Sequence, residues 1–133
     1  MSVGYVVLEI GWEYNDEGYN RPESGGGRPV AFYNTYAKAK AVADKKNADY
    51  FRTLEWGKNR SYDLEGFLDR YDVSDDALVE WYDANNIPYA YGDWGLHAPV
   101  VDLSDLPDDK IFQLLDILKV KWYEVVAVPI DSL

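Results

Sequence analysis

Two glutamates interrupt otherwise apolar runs of this chain: Glu9 within Val6-Val7-Leu8-Glu9-Ile10, and Glu124 within Trp122-Tyr123-Glu124-Val125-Val126. A pair of carboxylates held in one cleft can divide the general-acid and general-base duties of a reaction such as glycoside hydrolysis. Tyr89, Tyr91 and Trp94 would then supply rings on which a sugar could stack. Each glutamate also has a plainer use, on a solvated strand face or in an ion pair with Lys or Arg, and that use is the expectation for both.

A second pattern concerns metal. In Glu13-Tyr14-Asn15-Asp16-Glu17-Gly18, oxygen-bearing Glu13, Asn15 and Glu17 alternate and a glycine follows, as at the start of a calcium loop. The loop's bidentate glutamate is missing: Ser24 holds that position, and Glu23 comes one residue early. A strand pattern precedes the run where a helix would be needed. A polar turn is expected, with no metal and no cofactor. Gly25-Gly26-Gly27-Arg28 could turn backbone N–H groups toward an anion. It lacks the spacing of a phosphate loop, and a strand pattern follows it. His97 is the single histidine, so a His-rich zinc site is excluded. A Ser-His-Asp triad would have to use it, and no Gly-x-Ser-x-Gly turn supplies the serine. With no cysteine, disulfides, thiolate catalysis and iron–sulfur clusters are excluded as well.

Charge is the more informative signal. The formal net charge is −11. Residues 1–60 are nearly balanced, and residues 110–133 carry three acids and three bases. Residues 61–109 hold 13 carboxylates against Arg70 alone. Aromatic side chains interleave with those acids. The expected interaction surface is therefore Asp75, Asp76, Glu80, Trp81, Asp83, Tyr89, Tyr91, Asp93 and Trp94. Such a surface repels a nucleic-acid backbone and an anionic membrane, and attracts a basic protein. The lysine-bearing helix that precedes it, with Lys38, Lys40, Lys45 and Lys46, is the internal element that could answer those acids instead.

These groups need elements to position them. Val3–Tyr14 alternates as a strand, with Val6, Leu8, Ile10, Trp12 and Tyr14 on a wholly apolar side and Tyr5, Val7 and Glu9 on the other. Residues 15–29 read as a flexible glycine-rich loop, and Val30–Tyr33 as a short strand. Asn34 or Thr35 caps an alanine-rich helix that fades near Asn47. Trp56–Asn59 reads as a turn and Asp63–Tyr71 as a short helix. A further helix follows the Ser74 cap, buries Ala77, Leu78, Trp81 and Tyr82, and ends at Asn85-Asn86. Ile87–Leu103 is irregular, with a short strand at Val100-Val101. Ser104, Asp105 and Pro107 start the last helix, apolar at Ile111, Phe112, Leu114, Leu115, Ile117 and Leu118. Trp122–Ile130 is a strand apolar on both faces, with Pro129 marking an edge or a terminus.

A chain of 133 residues is one domain's length. The expected architecture is a single α+β domain over residues 1–133: a mixed or antiparallel sheet of three or four strands, covered mainly on one face by three or four helices. The expected role is a non-enzymatic acidic interaction module, of inhibitor, immunity, regulatory or DNA-mimicking type, that binds a basic partner. The alternatives are a small-molecule or carbohydrate binder, a weak hydrolase using the strand carboxylates, and an accessory subunit of a larger assembly. No leader and no membrane span is visible, and a cytoplasmic location is expected.

Overall fold

Alternating apolar residues at the start of the chain form strand β1, Ser2–Ile10. In the computed structural model, which describes residues 2–14, 19–20, 27–54, 73–91 and 97–130, β1 is the middle strand of an antiparallel sheet. Two-residue strands β2 (Glu13–Tyr14) and β3 (Tyr19–Asn20) pair with each other, and β4 (Gly27–Tyr33) follows. Helix α1 is Tyr36–Phe51 and α2 is Asp75–Ala84. Strands β5 (Tyr89–Tyr91) and β6 (His97–Pro99) form a hairpin. Helix α3 (Asp108–Leu118) and strand β7 (Tyr123–Ile130) close the chain. The main sheet has the order β4-β1-β7, so the expected α+β class is the one adopted.

Helix α1 lies on the Tyr5–Val7 side of the sheet. Ala39 and Ala43 carry no side chain beyond Cβ, which lets the helix approach closely and bury Val7 completely. The wholly apolar side of β1 is the other one. There Val6 sits between Phe32 of β4 and Val126 of β7 in the register. Gly4 leaves room on that side for the Phe32 ring and Ile130. Phe32 is 51% exposed there, and Val126 38%.

The larger core lies at the end of the sheet. It joins Ala48 and Phe51 of α1 to Leu78, Trp81 and Tyr82 of α2. Ile111, Leu114, Leu115 and Leu118 of α3 complete it with Val120 and Trp122. Helix α2 begins where expected, with the Ser74 Oγ accepting from Ala77 N at 3.3 Å. It ends at Asn86, whose positive φ of 56° turns the chain away.

Several boundaries differ from the sequence reading. Tyr19–Asn20 and Gly27–Pro29 are strand, not loop, because Gly27 to Pro29 continue the ladder opposite Ile10 to Leu8. Residues 97–99, and not Val100-Val101, form the short strand of the irregular stretch, since only they pair with Tyr89–Tyr91. Helix α3 starts at Asp108, with no side-chain cap. Helix α1 runs past Asn47 to Phe51. The expected turn at 56–59 and helix at 63–71 lie outside the described residues.

Asn47 explains the longer α1. Among the described residues it is the one buried polar or charged side chain, at 1% exposure. Its Oδ1 accepts from Trp122 N at 2.8 Å and Tyr123 N at 2.9 Å, and its Nδ2 donates to Tyr123 O at 2.9 Å. These bonds tie α1 to the start of β7 across some 75 residues of chain. Arg52, just beyond the helix, makes the matching tie to α3. It donates to Ser104 O at 3.2 Å, to Leu106 O at 2.9 Å and to the Asp108 carboxylate at 2.6 Å.

Asn47→Ala should destabilise the fold by about 3 kcal/mol, because it strands buried backbone donors with no water to replace the amide. Asn47→Asp keeps the acceptor and should lose less near its own pKa; urea midpoints of both variants check this. The Arg52 guanidinium, and then Lys45, hold the Asp108 carboxyl below the usual carboxylate range. A lowered folded pKa stabilises above the ordinary value of about 4, and that contribution disappears as pH falls through the lowered one. Arg52→Gln should therefore cost more stability at about pH 6 than at about pH 2, as read from urea midpoints at the two pH values.

Candidate functional site

The residues that sequence patterning grouped as an interaction surface sit on α2 and on the β5–β6 hairpin. Helical geometry turns Leu78, Trp81 and Tyr82 inward and leaves Asp76, Glu80 and Asp83 exposed. Trp81, expected both in the buried stripe and on the surface, is 6% exposed and belongs to the core with Leu78 and Tyr82, so it drops out of the surface. Asp93 and Trp94 lie outside the described residues.

Two of the carboxylates hold the hairpin against α2. Asp75, in the first turn of the helix, accepts from the backbone N–H of His97 at 2.7 Å, and its Oδ2 lies 2.9 Å from His97 Nδ1. An ionised carboxylate only accepts, so Nδ1 carries the proton of that contact. Tyr82 OH donates to His97 O at 3.3 Å, and burial holds this phenol above the usual range. Asp83 accepts from Tyr89 OH at 3.0 Å. The rings of Tyr89 and Tyr91 meet the imidazole edge-on, with centroids 5.4 Å and 4.8 Å away. Tyr91 is 69% exposed. The surface that results has acids at its base and a projecting tyrosine beside them.

An aspartate–histidine pair of this kind can orient Nε2 as a base. Nucleophilic catalysis would also need a hydroxyl on Nε2, and the described residues place none there. The pair instead latches the hairpin.

The carboxylates proposed for acid–base work do not converge. Tyr123 is the register partner of Glu9 and Leu8 that of Glu124, so the two glutamates leave the sheet on opposite faces. Glu9 accepts from Arg28 at 3.1 Å and from Tyr123 OH at 3.2 Å. Of the residues considered for calcium, Glu13 lies in β2, while Asn15 and Glu17 lie outside the described residues. Gly27 and Arg28 are strand residues paired with Ile10 and Glu9, which places both backbones in a ladder. Among the described residues no group of three or more His, Asp or Glu side chains could hold a metal ion. No described helix is long and apolar enough to cross a membrane.

Sequence reasoning missed a groove of about 410 Å³ between α1 and β7. Tyr36, Lys40, Asp44, Asp116 and Lys121 line it. Because it opens along the strand edge, Glu124 also borders it. Lys40 binds Asp44 at 2.6 Å, and Lys121 binds Asp116 at 2.7 Å. The Lys40–Asp44 pair was legible from its i,i+4 spacing; the approach of α3 to it was not.

With this geometry in hand, comparison with known proteins adds no relative: no family model, curated protein or solved structure matches the chain.

The bond to Asp83 also raises the Tyr89 phenol above its usual range. Asp83→Asn should bring its titration back toward lower pH, and phenolate absorbance compared with the Tyr89→Phe variant isolates the one group that moves.

Proposed function

We propose that this protein is a non-enzymatic interaction module that binds a basic partner protein through α2 and the β5–β6 hairpin. Asp76, Glu80 and Asp83 provide the charge, and Tyr91 provides a ring for buried contact. Asp75 and Tyr89 act from beneath, by holding the hairpin in place.

The observation that supports this reading is where six of the nine described Lys and Arg side chains go. Lys40 pairs with Asp44, and Lys45 with Asp49 and Asp108. Arg52 pairs with Asp108, Lys121 with Asp116, and Arg28 with Glu9. Lys46 lies over the Tyr123 ring at 5.6 Å. Lys40, Lys45 and Lys46 of the lysine-rich helix are thus engaged with its own acids, with α3 and with β7. Among the described ion pairs, those of α2 reach only His97. Exposed like charges on one helix face are mildly unfavourable to the fold, by a few tenths of a kcal/mol per pair. A cationic partner relieves that repulsion and is drawn in faster by it.

The groove beside β7 favours a small-molecule binder more weakly. Its volume suits a ligand, but its charges already answer one another as Lys40–Asp44 and Lys121–Asp116.

The test compares two variants of equal charge change. Asp76→Asn/Glu80→Gln removes two of the three exposed charges of the α2 face; Ala41→Lys/Gln113→Lys makes the same change in net charge at exposed positions on α1 and α3. A protein captured from lysate at low salt and released at high salt should bind the first variant about tenfold more weakly, mainly through slower association, and the second nearly as well as wild type. Equal retention by both would show that only net charge matters and would defeat the proposal.

A further inference from the structure

The two outer strands of the sheet are protected very differently. Strand β4 carries Arg28 and Pro29, and its register with β1 slips between Val7 and Leu8. A charge, a proline and a bulge are the usual devices that stop an edge from pairing with another chain. Strand β7 runs in unbroken register with β1 over its length. It presents Val125, Val126, Ala127 and Val128 in succession, with Val126 and Ala127 exposed. Among the described residues β7 pairs only with β1.

Hydrogen bonds at its start fix which backbone groups of β7 face outward. Trp122 O accepts from Ile10 N at 2.7 Å, so the carbonyl of residue 122 faces β1, while its N–H turns to Asn47. Tyr123 N and O are both taken by the Asn47 side chain, on the far side. Alternation then turns Val125, Ala127 and Pro129 outward as well. Asn47 blocks the first outward residue, and the missing N–H of proline blocks the last. Between them, no partner among the described residues meets the outward donors and acceptors of Val125 and Ala127.

This edge is complementary to itself. Two copies related by a twofold axis through Val126 would pair Val125 of one with Ala127 of the other, twice. All four outward N–H groups of those residues would then find a carbonyl. The same register brings Pro129 toward Tyr123, whose backbone Asn47 already occupies, so the two edges diverge there and the ladder is confined to Val125 and Ala127. Glu124 falls opposite Val128, and no two carboxylates face each other. The Val126 side chains meet at the axis. We infer that the open edge of β7 is a homodimer interface, through which two copies join their sheets in the order β4-β1-β7-β7-β1-β4. Because each copy carries a net charge of −11, association should strengthen with salt, the reverse of the salt dependence of a basic partner.

Sedimentation equilibrium across protein concentration and salt, with hydrogen exchange by NMR, tests this. Wild type should show a monomer–dimer equilibrium, with the Val125 and Ala127 amides protected only at high concentration. Ala127→Pro removes an outward N–H and leaves the ladder to β1 intact, so the fold should persist while association weakens at least about tenfold. Val126→Lys, which places two cations at the axis, should dissociate the dimer, and Val101→Lys, a control away from the edge, should not. Four results would overturn the inference. They are a monomer at every concentration, a monomer whose Val125 and Ala127 amides are already protected by the chain itself, a dimer in which those amides exchange freely, and a dimer indifferent to Ala127→Pro.

Discussion

The buried amide of Asn47 is the point on which the described structure turns. It completes the hydrogen bonding of Trp122 and Tyr123 where β7 leaves the helical core and enters the sheet. A backbone N–H at that junction has no water, and only the outermost strand lies there, so it needs a partner from a side chain. Asn47 supplies both an acceptor and a donor, as a neighbouring strand would. Helix α1 is thereby held over β1 and β7, and the two cores are brought into one body. The burial of a polar side chain among apolar ones is tolerated because the β7 backbone supplies three of the four bonds its amide can make.

Charge follows from the same arrangement. With α1 held in place, its lysines lie near Asp44, Asp49 and Asp108, and Arg52 reaches the carbonyls before α3. Part of the acidic middle of the chain is consequently used to join α1 to α3. The rest, on α2, faces outward beside a hairpin fastened by Asp75 and Asp83. An acidic stretch that looked uniform in one dimension thus divides into carboxylates that build the fold and carboxylates left at its surface.

The sheet poses the complementary question of what covers apolar area. One face is under α1. The other carries Val6, Phe32 and Val126 together, with Phe32 lying across the space left by Gly4. A strand apolar on both faces, as Trp122–Ile130 reads, is consistent with both environments, and its alternation alone does not say which side the helix takes. The helix takes the Val7 side, where Ala39 and Ala43 pack beside Ala31 and Val125, while Phe32 lies on the other.

Read alone, the sequence determined the α+β class, the three described helices, the strands at both ends, the Ser74 cap, a cap at Asn34 or Thr35, and the inward stripes of α2 and α3. All of these rest on periods of two or 3.6 residues and on local capping, which act over a few positions. It also located the acids of α2 and the tyrosines beside them. It gave Trp81 two places, the buried stripe of α2 and the acidic surface, because a large amphipathic ring on a helix fits either until its neighbours are known. It passed over Asn47, whose value depends on backbone groups some 75 residues away. The opposed faces of Glu9 and Glu124, the Asp75–His97 latch and the groove beside β7 likewise depend on register and on helix docking. Only the tertiary structure decides those, because they arise from contacts between segments whose relative position no local periodicity encodes.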